Sequence, residues 1–163
     1  MLRVSHLLRS LGPLSAAIWL AGQASAQVFT SCSASASPVT FPAYNAFSGS
    51  AVDSATNVNV TCTGLLGLLV TYDVELGGGG SGSIVSRLLF ENAGSDQLAY
   101  QLYTNSSRTQ VWGDGIQGAT FSGSFLISII ASFRTHTAYG RIPASQVVNA
   151  GDYSDTLVMT VVF

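Results

Sequence analysis

His136 is the single imidazole after residue 26, which makes it the first residue to consider for acid–base chemistry. Serines and aspartates are plentiful, so a Ser–His–Asp arrangement is chemically available. However, the chain has no Gly-x-Ser-x-Gly sequence to raise a serine at a strand-to-helix turn, and it has no lysine nucleophile. We therefore expect His136 to be a partly exposed strand residue in a protein that is not an enzyme. An enzymatic function would rest on His136 alone.

Cys32 and Cys62 are the only two cysteines. In an exported chain an even number of cysteines predicts a disulfide bond, whereas a metal site would need more ligands than this chain offers. On the chain-entropy model, closing a loop of this length stabilises the fold by roughly 3–4 kcal/mol. We predict a Cys32–Cys62 disulfide, no metal ion and no cofactor.

Two glycine-containing segments resemble ligand-binding loops without having the parts those loops need. Residues 77–83 read Gly-Gly-Gly-Gly-Ser-Gly-Ser, but a phosphate-binding loop ends in Gly-Lys-Ser/Thr and leads into a helix. Residues 112–115 read Trp-Gly-Asp-Gly, with one carboxylate where a calcium loop needs several oxygen ligands. The first segment is interpreted as a flexible connection and the second as a tight turn.

The first 26 residues have the layout of a secretory signal peptide. Two arginines precede an apolar run at 11–21, and the small residues Ala24 and Ala26 stand at the positions that a signal peptidase reads. The run is shorter than the roughly 20 apolar residues of a membrane span. We predict cleavage after Ala26, no membrane anchor afterwards, and a single domain at 27–163.

Charged residues are few in the chain. Only 9% of its residues are charged and 47% are hydrophobic, which is the reverse of a disordered composition. Without Arg3 and Arg9, four arginines oppose eight carboxylates, for a formal charge of −4. Because this leaves no basic patch for nucleic acid or anionic lipid, we expect neither as a partner.

Polar and apolar residues alternate along four segments that follow residue 27. This period of two is typical of strands with one buried face, and Gly-rich turns rather than helical segments separate them. The pattern predicts an all-β sandwich. The alternating apolar residues are Val58, Val60 and Cys62; Val70, Tyr72, Val74 and Leu76; Leu98, Tyr100 and Leu102; and Leu157, Met159, Val161 and Phe163.

Two apolar stretches do not alternate. For residues 125–130 we favour a strand buried on both faces over an exposed loop. Residues 64–69 contain four leucines, Leu65, Leu66, Leu68 and Leu69. They fit a strand with a glycine bulge and an exposed adhesive loop equally well, and both interpretations stay open.

An ordered set of short motifs runs across almost all of residues 27–163. In this order the motifs resemble the spore coat protein U domain, which occurs in subunits of archaic (Csu-type) chaperone–usher pili. The matching residues are Cys32, Phe41, Tyr44, Val60, Thr61, Cys62, Arg87, Leu98, Tyr100, Leu102, Tyr103, Trp112, Gly113, Asp114, Gly115, Tyr139, Gly140, Arg141, Ile142, Gly151, Asp152, Tyr153, Ser154, Asp155, Thr156, Val161, Val162 and Phe163.

The resemblance implies an immunoglobulin-like β-sandwich that lacks one strand. A periplasmic pilus chaperone, and then a neighbouring pilus subunit, would lend that strand, with an outer-membrane usher ordering the exchange at the cell surface. The groove for the lent strand is expected along Leu157, Met159, Val161 and Phe163. The alternative is a self-sufficient secreted coat or lectin-like domain that does not polymerise.

The residues ahead of Cys32 bear on the position in such a fibre. In this family the strand lent to a neighbour precedes the first cysteine. Residues 27–31 would extend only about 17 Å at roughly 3.3 Å per residue, and they offer one adjacent apolar pair, Val28 and Phe29. We therefore expect a subunit that accepts a strand but lends none, at the tip of a fimbrium, unless the start or cleavage site is misassigned.

Overall fold

Apart from one 3-10 turn, the regular structure in the described part of the chain is β-strand. The computed structural model describes residues 30–64, 67–127 and 131–163, so the predicted signal peptide at 1–26 lies outside the described residues, as do Leu65 and Leu66. The strands are β1 Ser31–Ala36, β2 Val52–Thr63, β3 Leu69–Leu76, β4 Arg87–Glu91, β5 Gln97–Tyr103, β6 Phe121–Leu126, β7 Ala131–Ile142, β8 Tyr153–Ser154 and β9 Met159–Val162.

The strands form two antiparallel sheets. The larger sheet has the order β1-β2-β7-β5-β4-β8, and the smaller has the order β6-β3-β9. Both sheets contribute buried residues to one core, for example Val60 and Leu102 from the larger sheet and Val74 from the smaller. The predicted all-β sandwich is confirmed, and its incompleteness is visible where the edges of the two sheets meet.

Alternation in the sequence corresponds to alternation in burial. In β3 the residues Val70, Tyr72, Val74 and Leu76 are 0–6% exposed, while Thr71 and Asp73 between them face solvent. The last strand is shorter than predicted, because pairing with β3 covers only Met159–Val162. Leu157 and Phe163 flank that strand rather than belonging to it.

The expectation of a strand buried on both faces at 125–130 is wrong for the residues described there. Phe125 is buried at 6% exposure, whereas its neighbour Leu126 is 62% exposed. Because the smaller sheet packs on the larger sheet with one face, only one face of β6 meets the core. Ile127 is buried again, and 128–130 lie outside the described residues.

The glycine-rich segment 77–83 is a turn with specific tertiary contacts, not the flexible connection expected from its composition. It contains a 3-10 turn at Gly79–Ser81, closed by a bond from the Gly82 amide to the Gly79 carbonyl. Gly79 has a φ of 66°, and an added Cβ would collide with the carboxylate of Asp155. Glycine is therefore needed here for close packing as well as for backbone conformation.

The predicted disulfide is present between Cys32 and Cys62. The two cysteines are direct partners in the antiparallel ladder of β1 and β2. The bond therefore fastens β1, an edge strand, to the body of the larger sheet. Among the described residues, no helix is long and apolar enough to cross a membrane.

Candidate strand-acceptor groove

The sandwich has an open seam between β1 and β9. β1 pairs only with β2, and β9 pairs only with β3, so each strand has one unpaired edge in the described part of the chain. Cα atoms of β1 and β9 approach within 8 Å, yet no backbone hydrogen bonds join the two strands. Unpaired N–H and C=O groups at such an edge can pair with an additional strand.

The seam widens after β1, where residues 36–44 form what we call the first wall. Pro38 and Pro42 have no amide hydrogen and cannot continue the ladder with β2. Instead, hydroxyl groups of β2 bond the wall: Thr56 donates to the Ser37 carbonyl at 2.9 Å, and Ser54 donates to the Thr40 carbonyl at 2.6 Å. The main chain of the first wall is thereby held in place while its other edge remains open.

Residues 153–161, which we call the second wall, alternate in burial. Five side chains at every second position turn inward but are only half-buried, whereas Thr156, Val158 and Thr160 between them are exposed. Fully covered residues such as Val74 reach 0% exposure. The inward stripe of the second wall is thus packed on one side and uncovered on the other. Its members are Tyr153, Asp155, Leu157, Met159 and Val161.

Two clefts lie between the walls and together form what we call the acceptor groove. The smaller has a volume of about 330 Å³ and the larger about 490 Å³. Leu76, Leu102 and Trp112, each 2–4% exposed, line the smaller cleft, so core residues form its floor. Residues from both walls and from β4 line both clefts and make them continuous. These shared residues are Pro38, Val39, Phe41, Leu89 and Asp155.

A buried arginine supports the floor of the groove. Arg87 is fully buried and donates hydrogen bonds to the carbonyls of Leu76 (3.1 Å), Gly77 (2.8 Å) and Trp112 (2.8 Å). Its Nη1 also donates to the side-chain oxygen of Gln101. The guanidinium thus joins β3, the glycine-rich turn and the Trp112 turn. Sequence reasoning singled out Arg87 only as a motif match, since its role depends on carbonyls distant in the chain.

Asp155 and Tyr100 form a polar pair in the groove that sequence reasoning did not assign to it. The Tyr100 hydroxyl donates to Oδ2 of Asp155 at 2.7 Å. Burial, and then this bond to a carboxylate, raises the pKa of Tyr100 far above its usual value, so the phenol keeps its proton. Alternation marked Tyr100 as a core residue, but nothing local indicated that Asp155 would lie beneath the same opening.

Three of the four residues predicted for the groove lie on the inward stripe, and the fourth is exposed beyond the last strand. Leu157 and Met159 line the smaller cleft, and Val161 is half-buried on the same inward stripe. Phe163 is 56% exposed, beyond the end of β9. The assignment of these four residues to a chaperone-binding groove stays a prediction.

Of the four leucines predicted to form an adhesive loop, the two that the structure describes do not line the groove. Leu68 is half-buried, and Leu69, at the start of β3, is 63% exposed. Leu76, at the other end of β3, lines the groove. Leu65 and Leu66 lie outside the described residues, so the adhesive function of the four leucines also stays a prediction.

His136 does not have the surroundings of a catalytic base in the described structure. Its Nε2 lies 2.8 Å from the Tyr72 hydroxyl, and its ring stacks on Phe121 with centroids 4.9 Å apart. Burial, followed by the charge of Arg134, lowers the pKa of His136. Among the described residues, no group of three His, Cys, Asp or Glu side chains could hold a metal ion.

Comparison with known protein families identifies the domain. The family model for the spore coat protein U domain matches residues 18–160. The chain belongs to this family. Protein U of Myxococcus xanthus is 35% identical over 123 residues, which are 69% of this chain and 65% of that protein. This spore coat protein U domain thus spans about two thirds of the length of that relative.

A solved structure shares the fold of the domain. It is a chain in the CsuC–CsuE chaperone–tip adhesion subunit pre-assembly complex from archaic chaperone–usher Csu pili of Acinetobacter baumannii. The TM-score is 0.56 at 22% identity, and the match covers 83% of this chain and 40% of the other. At that identity the likeness establishes the shared sandwich fold.

Proposed function

We propose that the protein is a structural subunit of a surface pilus that receives a strand from a partner in its acceptor groove. The observation that carries this proposal is the groove itself, where two walls, each with an open backbone edge, flank a floor of core residues. A strand placed between them would satisfy both backbone edges and cover the inward stripe, which is the physics of β-strand addition. Four or five buried apolar side chains at about 1.5–3 kcal/mol each would contribute roughly 6–15 kcal/mol.

The proposed partners follow from this mode of binding. A periplasmic pilus chaperone would occupy the groove first, and a neighbouring pilus subunit would replace it at an outer-membrane usher. The family membership and the chaperone-bound relative support a chaperone as the first partner. Export through the periplasm to the cell surface requires the signal peptide predicted at 1–26, whose cleavage after Ala26 stays a prediction.

We further propose that the domain has no catalytic activity of its own. Both cysteines are joined in a disulfide, and the only described histidine is bonded to a tyrosine between aromatic rings. The role that remains is mechanical or adhesive. A catalytic function would require His136 to act without an orienting carboxylate, which is a weak arrangement for a general base.

The decisive experiment compares the full chain produced in the periplasm alone with the same chain produced alongside the chaperone of its own genome. We expect aggregated or strand-swapped protein in the first case and a soluble one-to-one complex in the second, because an open groove leaves backbone edges unpaired and the inward stripe only half-buried. The alternative outcome is a monodisperse monomer whose unfolding midpoint does not change when peptides of the length of the groove are added. That outcome would support the self-sufficient coat or lectin-like domain.

Position at the fibre tip remains a separate prediction. It is tested by mixing the chaperone-bound protein with a strand-complemented rod subunit and following strand exchange in both directions. Acceptance of the rod subunit's strand without donation to another subunit would agree with a tip position. Efficient self-polymerisation through residues 27–31 would contradict it.

Adhesion is a second candidate role, supported by an apolar pair at the end of the sandwich opposite the groove clefts. Leu69 and Leu126 are direct partners in the ladder of β3 and β6, on the outer face of the smaller sheet. They are 63% and 62% exposed. The two neighbouring leucines form a small apolar patch on this outer face, and such a patch can contact an apolar surface.

A further inference from the structure

Asp155 lies in the middle of the acceptor groove, because it lines both clefts. Among the described residues it is the only charged side chain that lines the smaller cleft, where apolar residues predominate. From the first wall, Val39 and Phe41 likewise line both clefts. A strand laid along the groove therefore passes a carboxylate where the two clefts join.

The hydrogen bonds of Asp155 leave one acceptor position open. Its Oδ1 accepts from the amides of Gly80 and Thr156, each at 2.8 Å. Its Oδ2 accepts from the Tyr100 hydroxyl at 2.7 Å. A carboxylate has about four acceptor positions, so Oδ2 keeps one without a partner among the described residues.

No cation satisfies that remaining position in the described structure. Both ion pairs found there involve Asp53, on the outer face of the larger sheet. The buried guanidinium of Arg87 directs its hydrogen bonds to carbonyls and to Gln101, and none to Asp155. In the open groove this position is free for a donor from solvent or from a strand that enters the groove.

An incoming strand changes that balance. An apolar side chain over Asp155 would displace the water and leave the acceptor unsatisfied, which costs free energy. A hydroxyl group would replace the water with a hydrogen bond to a charged acceptor, which is stronger than a bond between neutral groups. Leu157 and Met159, the next residues of the inward stripe, are apolar. The strand positions that face them therefore favour apolar side chains.

We propose that Asp155 selects a hydroxyl-bearing residue, serine or threonine, at one inward position of the strand that fills the groove. The other inward positions take apolar residues. This inference rests on the proposed function, since it concerns the partner strand of that same groove. Asp155 thereby sets the register of the strand as well as its composition, because sliding the strand by two residues places a valine over the carboxylate.

The test is a scan of synthetic peptides against the full chain, measured as displacement of its chaperone. The parent peptide spans the groove with valine at every inward position, and each valine is replaced in turn by isosteric threonine. We expect a loss of roughly tenfold in affinity at each position where the hydroxyl finds no partner. At one position threonine binds as tightly as valine or more tightly.

Two variants of the protein test whether Asp155 causes the threonine preference at that one peptide position. Asp155→Asn keeps the size of the side chain and removes its charge, so the threonine preference should fall severalfold. Asp73→Asn is the matched control, because Asp73 is exposed on the outer face of β3 and lines neither cleft. It should leave the whole profile unchanged.

If Asp155→Asn does not fold, the role of Asp155 can still be tested by peptide affinity on the unmodified protein. At the exceptional position, lysine should bind at least tenfold more tightly than glutamate, because the carboxylate attracts one and repels the other. A scan in which threonine weakens binding everywhere overturns the role of Asp155 and leaves the groove proposal intact. Failure of every peptide, including the parent, overturns the groove proposal itself.

Discussion

At the scale of single residues, Arg87 is the one fully buried charged side chain in the part of the chain that the structure describes. Arg87 is completely buried, and burial lowers the pKa of its guanidinium. Its hydrogen bonds to three backbone carbonyls and to Gln101 replace the water that these groups would otherwise bind. The result is a fixed turn beneath the groove in place of a mobile linker.

Removing that arginine should therefore be costly. Arg87→Met keeps most of the volume but leaves several buried acceptors unsatisfied, and we expect a loss of about 3–5 kcal/mol in the free energy of unfolding. Arg134→Met is the control, because Arg134 is exposed and should change stability by less than about 0.5 kcal/mol. Urea unfolding of the peptide-complemented proteins measures both, and equal midpoints for the two variants would contradict this account of Arg87.

His136 makes stability depend on pH. Its pKa is lowered in the folded state, chiefly by burial and then by Arg134. The folded protein consequently binds fewer protons than the unfolded chain, so stability falls as the pH decreases from about 6.5 toward the lowered value. Above that window the effect is absent.

The prediction is a decrease in the urea midpoint between pH 7.5 and pH 5.5 that His136→Gln largely removes. Glutamine can still bond the Tyr72 hydroxyl, so the variant should fold. If His136→Gln and the unmodified protein lose the same stability over this interval, the histidine is not responsible.

At the scale of elements, the C-terminal strand has an inward and an outward face, and substitutions on one face can be compared with substitutions on the other. Val161 points inward beside the seam, and Phe163 continues the same alternation beyond the strand. Replacing both by aspartate should abolish co-purification with the chaperone, because charges would line an apolar binding surface. Aspartate at Thr160 and Val162, on the outward face, should leave the complex intact. If the inward variant still retains the chaperone, this strand is not part of the interface.

The first strand depends on its crosslink to β2. A variant with serine at both Cys32 and Cys62 should lose about 3–4 kcal/mol of stability on the chain-entropy model. Because β1 is an edge strand, its detachment should also reduce peptide binding in the groove. Ser33→Ala, on the outward face of the same strand, controls for local substitution effects. Unchanged peptide affinity in the double-serine variant would show that β1 stays docked without the bond.

At the scale of the whole molecule, the proposed assembly and adhesion surfaces lie at opposite ends of β3. Leu76 belongs to the groove floor, and Leu69 belongs to the exposed pair with Leu126. A subunit of this shape can be joined to a partner along its groove while its apolar end remains exposed. Adhesion and assembly should therefore be separable by mutation.

Serine at both Leu69 and Leu126 should lower adsorption of the complemented protein to a hydrophobic surface severalfold, with strand exchange unchanged. The control carries serine at Ile116 and Val147, which are 91% and 88% exposed but lie in other loops. Adsorption measured by quartz microbalance compares the two variants. Equal losses would mean that general surface hydrophobicity, not this end of the sandwich, controls adsorption.

Local chemistry determined a large part of this protein. Alternation at Val70, Tyr72, Val74 and Leu76 predicted β3, because a two-residue period has the same meaning wherever it occurs. The paired cysteines predicted the disulfide, and the ordered motifs predicted the family. These inferences depend on neighbours in the chain or on composition, and no long-range contact was needed to make them.

Tertiary contact alone decided the remainder. The glycine-rich segment became a fixed turn because the nearby Arg87 and the distant Asp155 both bond it. Leu126 became exposed because it lies on the outer face of the smaller sheet, and a local pattern does not say which faces of a sheet are covered. The groove exists only where two walls more than 100 residues apart fail to meet. Asp155 acquires its place there because a carboxylate's environment depends on what the fold brings beside it, not on its neighbours in the chain.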